Sequence, residues 1–162
     1  VRPLLNNNIN DFSISAWSRL EISLGVNDFN YHIFDNELYQ NHGYMFRIED
    51  TNNTVTAGRI AFRTNRVEAV PPDTQVTTVP NSYPNDLGWH HLVVVKEGNI
   101  GRIYLDNVQI TSGAMNNPAD STTSGKLGLV GTVSGGKIFD EVRIYNRVLS
   151  QDEITALASY TG

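Results

Sequence analysis

The sequence predicts an all-β fold, an antiparallel two-sheet sandwich or a barrel, with one short C-terminal helix. Three observations point there. Short segments of alternating apolar and polar residues recur along the chain, bounded by Gly, Asn, Asp and Pro. No segment before residue 149 carries a helical period. A compact set of helix-start signals appears only at residues 149–154. Many short strands with turn residues between them are the pattern of sandwiches and barrels.

The first strand is read from Phe12-Ser13-Ile14-Ser15-Ala16-Trp17, where a period of two puts Phe12, Ile14 and Ala16 on one face. Further strands are expected at Asn30–Phe34, Gly43–Glu49, Arg59–Arg63, Gln75–Val79, Trp89–Lys96, Gly101–Asp106, Val108–Thr111, Lys126–Val130 and Lys137–Tyr145. Turns are expected at Glu97-Gly98-Asn99, at Asp106-Asn107 and at Gly135-Gly136, because these residues tolerate positive φ. Two longer loops stand out: 66–86, holding four of the six prolines, and the polar stretch 112–125.

The helix begins at Ser150-Gln151-Asp152-Glu153, which has the form of a capping box. Leu149 and Ile154 occupy the positions of a hydrophobic staple, and Ile154, Leu157 and Ala158 make a narrow apolar stripe. So short a helix must dock on the sheets to persist.

Composition narrows the function. The chain has 162 residues, 40% hydrophobic and 18% charged, which suits one globular domain spanning 1–162. No apolar run approaches the roughly 20 residues of a membrane helix, so membrane insertion is not expected. With no cysteine, neither disulfides nor thiolate chemistry contribute. The net charge is −5 and the twelve basic residues are scattered singly, which argues against a nucleic-acid partner. The chain opens on Val1 with no leader, as expected of a processed chain or a part of a larger chain or assembly.

Gly88-Trp89-His90-His91-Leu92-Val93-Val94-Val95 poses the main chemical question. Adjacent strand residues point to opposite faces, so His90 and His91 cannot converge on one metal or one substrate atom. One histidine is expected in or near the core, the other on the outer face, and both Trp17 and Trp89 are expected in the core.

That block, with residues 12–17, Arg102-Ile103-Tyr104-Leu105-Asp106-Asn107 and Phe139-Asp140-Glu141-Val142-Arg143-Ile144-Tyr145-Asn146-Arg147-Val148-Leu149-Ser150, resembles the laminin-G-like domain. The likeness runs from about residue 12 to the end, and its last block is similar to one in the pentraxins. The resemblance implies a concanavalin A-like jelly-roll sandwich, with two antiparallel sheets packed face to face. It also implies that most of the usual opening strand is missing before Val1, and that the W-H-H block is a strand signature rather than a catalytic one.

Catalysis is not expected. Paired carboxylates for glycoside hydrolysis need a shared face, whereas Glu49-Asp50 and Asp140-Glu141 are adjacent and face apart in a strand. The acidic strand motif of laminarinases and the motif blocks of polysaccharide lyases on this fold are absent. Calcium is a candidate structural ion, with Asp28, Asn30 and Asp35 as oxygen donors. Related jelly rolls imply Asp140 as another. Turn chemistry is the competing reading of the same residues. The pentraxin calcium site has no carboxylate counterpart in residues 131–136.

Sugar binding needs aromatic faces and planar polar groups, which concentrate in residues 31–44. The candidate ligand residues are Tyr31, His32, Tyr39, His42, Tyr83 and His90, with Tyr83 expected at a loop rim. The leading expectation is a non-catalytic glycan-binding or adhesive module of a secreted, cell-surface or phage protein, its partner a glycan or a surface protein. A purely structural virion or surface-layer domain, and a glycoside hydrolase or lyase, are the alternatives.

Overall fold

The computed structural model describes residues 11–21, 23–24, 29–36, 43–50, 57–64, 74–117, 126–127 and 137–159. They form two five-stranded antiparallel sheets and one helix. The strands are β1 (Phe12–Leu20), β2 (Phe29–Asp35), β3 (Tyr44–Asp50), β4 (Arg59–Thr64), β5 (Thr74–Thr77), β6 (Trp89–Glu97), β7 (Ile100–Leu105), β8 (Val108–Ala114), β9 (Lys126–Leu127) and β10 (Lys137–Tyr145). The first sheet has the order β10-β1-β6-β7-β8, the second β5-β4-β3-β2-β9. The expected all-β sandwich is therefore observed. The largest differences from the expected bounds are in β1, which runs on to Leu20, β5, which stops at Thr77, and β8, which runs on to Ala114; residues 128–130 of the strand expected at Lys126–Val130 lie outside the described residues.

The period-two pattern of β1 does what it predicts: Phe12, Ile14 and Ala16 are fully buried between the sheets. They meet Leu92, Val94 and Ile103 of the first sheet and Phe34, Tyr44, Phe46, Ile48, Ile60, Phe62 and Val76 of the second in one apolar cluster. The Phe12 ring lies edge-on to Tyr44 at 4.4 Å and to Phe62 at 5.8 Å. Burying each such side chain contributes about 1.5–3 kcal/mol.

β6 is apolar on both faces because each face has its own cover. Leu92 and Val94 look into the sandwich, whereas Val93 and Val95 look outward and pack with Tyr104, Leu149 and Ile154. Ile154 belongs to α1 (Gln151–Ala158), which starts with the predicted capping box at Ser150 and Glu153. Ser13, on the outward face of β1, fixes the chain just before α1: its hydroxyl donates to the Arg147 carbonyl and accepts from the Leu149 amide, both at 3.0 Å.

The β7–β8 turn is the predicted one, with Asp106 and Asn107 both at positive φ (47° and 71°), as a two-residue type I′ hairpin requires. Gly98 supplies φ 52° in the β6–β7 turn. The turn expected at Gly135-Gly136 lies outside the described residues. On β10 an extra residue opposite β1 makes a bulge between Ser15 and Trp17, with Glu141 at φ 50°.

Candidate functional site

Strand alternation separates the two histidines as expected. His91 points to the outer face of the first sheet yet is 1% exposed, lying beside Trp17 with ring centroids 5.2 Å apart. Its Nε2 is 2.8 Å from Ser15 Oγ, while its buried Nδ1 has no partner. Burial lowers its pKa to about 4, so the ring is neutral at pH 7. Among the described residues no carboxylate is bonded to Nδ1, as a Ser–His–acid triad would require, and the depression around the pair is lined by Trp17, Glu141, Arg143 and Leu157.

His90, on the other face of the strand, has two carboxylate partners. Asp106 Oδ2 accepts from His90 Nδ1 at 2.7 Å, and Asp86 Oδ1 accepts from His90 Nε2 at 3.0 Å. Asp106 Oδ1 also accepts the His91 amide (2.9 Å), and Asp86 Oδ1 the Gly88 amide (2.8 Å). Burial alone would depress the His90 pKa, but the two carboxylates outweigh it and raise the value. The hydrogen bond from His90, joined by that from Gly88, lowers the pKa of Asp86. His90 is thus a brace between two acids.

Tyr83, expected at a rim, is instead 1% exposed and belongs to the core. Its hydroxyl is 2.9 Å from Ser18 Oγ and donates to the Ser18 carbonyl at 3.0 Å, while its amide donates to the Gly58 carbonyl at 2.9 Å. Because β1 and the β3–β4 turn belong to different sheets, this one residue ties both together and seats the turn that follows. Its ring edge meets His90 at 5.4 Å. A buried phenol offers no stacking face, so the expected ligand role of Tyr83 is corrected to an anchoring one.

Among the described residues the exposed aromatic ring is Trp89, which the sequence predicts in the core. It is 40% exposed, and the Arg19 guanidinium lies 5.2 Å from its ring centroid, opposite it in the β1–β6 register. Alternation puts Trp89 on the helix-bearing face, but it lies at the strand end, where the described residues leave it open. Leu87 precedes it at φ 63° and 44% exposure, an uncommon conformation for leucine. The segment 86–89 therefore presents an indole, an apolar side chain and a largely solvent-facing carboxylate, the last bonded to His90.

A second polar group lines the outward face of the second sheet. The register puts Asn30, His32 and Asp35 beside Met45, Arg47 and Glu49, and these beside Arg59, Ala61 and Arg63. Glu49 is 2% exposed and held by both neighbours: Arg47 Nε donates to Oε1 at 3.1 Å and Arg59 Nε to Oε2 at 2.6 Å. Burial would raise its pKa, and the two arginines outweigh that and lower it. His32 is 8% exposed and bonded to Asp35 at 2.8 Å. Tyr31 points into the sandwich, its hydroxyl donating to Asp50 at 2.8 Å. The predicted Tyr31 and His32 are therefore mostly occupied within the protein. The arginines Arg47, Arg59 and Arg63 are not among the expected site residues, although the alternation in β3 and β4 marks them as outward-facing beside Glu49.

The expected calcium donors are not gathered by the described residues. Asn30 and Asp35 lie on the second sheet, and Asp140 on the first, where it accepts the Glu141 amide at 2.8 Å. Asp35 is bonded to His32, and no group of three or more His, Cys, Asp or Glu converges among the described residues. One feature does suit a cation: Asn30 Oδ1 is buried without a hydrogen-bond partner. Asp28, Tyr39 and His42 lie outside the described residues.

A family profile described as the concanavalin A-like lectin/glucanases superfamily, of the laminin-G type, matches residues 2–155. No curated protein matches. Among solved structures, the chain is similar to the botulinum neurotoxin serotype D binding domain (TM-score 0.68, 17% identity), over 95% of this chain and 38% of that one. It is also similar to the botulinum neurotoxin DC binding domain in complex with rat synaptotagmin II (TM-score 0.68, 16% identity, 98% and 38%). A botulinum neurotoxin type C structure, described with cell entry dependent upon interaction with two ganglioside molecules, gives TM-score 0.67 and 17% identity over 92% and 35%. The chain thus spans little more than a third of those solved chains, and at such identities the likeness is one of fold.

Proposed function

The chain belongs to the concanavalin A-like lectin/glucanases superfamily, and from that premise we propose that it is a non-catalytic glycan-binding or adhesive module whose ligand meets the turn at Trp89. The observation that carries this reading is the exposed indole. A tryptophan 40% exposed and backed by Arg19 supplies a stacking face for a sugar ring. Two similar structures are described with gangliosides and with synaptotagmin II, which supports either a glycan or a protein as the class of partner. A secreted, cell-surface or virion location fits the same reading. Neither nucleic acid nor membrane insertion belongs to the proposal.

Against an enzyme stand the closed Ser15–His91 pair and the full engagement of Glu49 by two arginines. The second reading is a structural module with protein partners. It is favoured by Val108 (61% exposed) and Ile110 (36% exposed), apolar side chains of β8 at the end of its sheet. Calcium is kept as a proposal for residues 28–35 alone, motivated by the unpartnered Asn30 Oδ1.

A glycan array probed with the wild-type chain and with Trp89→Ala tests the first reading. Retention on a defined glycan class, weakened at least about tenfold in the variant, supports it; a tenfold loss corresponds to about 1.4 kcal/mol. No retention on any glycan removes it in favour of the protein-partner reading.

A further inference from the structure

We propose that His90 is a positioning residue that keeps the Trp89 turn competent for ligand only while its imidazole carries both ring protons, so that binding there is switched off as the pH rises. The inference rests on the reading of that turn as the ligand site. Its basis is the geometry of the ring: Nδ1 lies 2.7 Å from Asp106 Oδ2 and Nε2 lies 3.0 Å from Asp86 Oδ1. An ionised carboxylate only accepts, so both bonds require an N–H, and only the imidazolium has two. Loss of one proton leaves a nitrogen lone pair against a carboxylate, and one bond must open.

The structure indicates which one. Asp106 sits in the tight β7–β8 turn and is held through its other oxygen by the His91 amide. Asp86 makes the longer bond, its side chain is 62% exposed, and it stands in a connecting segment. Asp86 therefore releases first. Its Oδ1 also accepts the Gly88 amide, and a Cβ on Gly88 would lie 3.0 Å from that oxygen, so the carboxylate is folded against the entry to Trp89. Releasing Asp86 frees the backbone that aims the indole.

The other groups around the ring do not replace the missing charge. From the preceding segment come the neutral Tyr83 ring edge and Asp86, and from the β7–β8 turn Asp106. From β1 comes Ser18, opposite His90 in register and bonded to Tyr83. Arg19 projects to the opposite face, over Trp89. On the same strand, His91 is held neutral by burial. The raised pKa of His90 agrees with this environment.

The test uses the wild-type chain. Nuclear magnetic resonance follows the His90 ring, the Gly88 amide and the Trp89 indole from about pH 5 to pH 9, alongside retention on the glycan that the array selects. The expected result is a His90 midpoint above the ordinary value of about 6.5. The Gly88 and Trp89 signals should move with that midpoint, and retention should fall about tenfold over the same range. In His90→Gln, retention is weak and flat with pH; in Asp106→Asn the His90 midpoint falls. A midpoint at or below the ordinary value, or Gly88 and Trp89 signals indifferent to it, overturns the proposal even if glycan is retained. If no glycan binds at any pH, the ligand reading fails instead, and the ring and amide titrations still decide the latch.

Discussion

Tyr83 and Ser18, sixty-five positions apart, join hydroxyl to hydroxyl at 2.9 Å inside the sandwich. The phenol is buried so completely that its pKa is pushed up to about 12. This bond decides where the candidate turn stands, because residues 84–89 leave directly from it.

Removing the hydroxyl should therefore disturb both stability and binding. Tyr83→Phe leaves Ser18 short of a partner, and about 1–3 kcal/mol of stability should be lost. Chemical denaturation reads the first effect; the same array used for Trp89→Ala reads the second. Unchanged stability would show that Ser18 finds another partner and that the anchor is the ring alone.

The core makes a simpler prediction. Phe12 is fully buried between Tyr44 and Phe62, so Phe12→Ala should cost about 3–5 kcal/mol. For a chain of this size that lowers the melting temperature by roughly 6–20 °C. Trp89→Ala, at an exposed position, should move it by far less.

His91 should make stability fall in acid. Its folded pKa is about 4, below the unfolded value of about 6.5, so the unfolded chain binds the proton more tightly. The stability it contributes is complete above pH 6.5 and is lost as the pH falls towards 4, by on the order of 3 kcal/mol. His90 has the opposite sign: its raised pKa adds stability at low pH that disappears as the pH climbs through the folded value. Urea unfolding across the range should show the acid-side loss reduced in His91→Gln.

Calcium can be checked without mutagenesis. If Asn30 Oδ1 and the residues before it hold an ion, the melting temperature rises with calcium and falls with a chelator. Identical curves in both conditions would remove the ion from the account.

The fold was legible because its determinants are local. Alternation in Phe12-Ser13-Ile14-Ser15-Ala16 and turn residues at Asp106-Asn107 specify a strand and a hairpin without reference to distant segments. The same holds for the capping box of α1. The site was less legible because its geometry depends on distant pairings. Nothing near Tyr83 reveals that its hydroxyl meets Ser18, and nothing near His90 reveals that Asp106 arrives from the far end of the next strand. The exposure of Trp89 follows from its place at the end of β6, where alternation still applies but the covering layer does not. The clamp on Glu49 needs the register of three strands, although its outward direction was readable in β3 alone.

The contacts of Asn107 bear on the order of assembly. Its Oδ1 accepts from Gln151 Nε2 at 2.7 Å and from Thr155 Oγ1 at 2.8 Å, so the hairpin tip receives the helix across 44 and 48 positions of chain. Eight residues do not persist as a helix in water. In folding, α1 therefore follows the hairpin rather than guiding it, and acts as a late clasp. A polypeptide cut before Leu149 should still be able to pair its strands, but it would bare Val93 and Val95 to solvent. Incomplete chains should therefore clump before they lose their sheets.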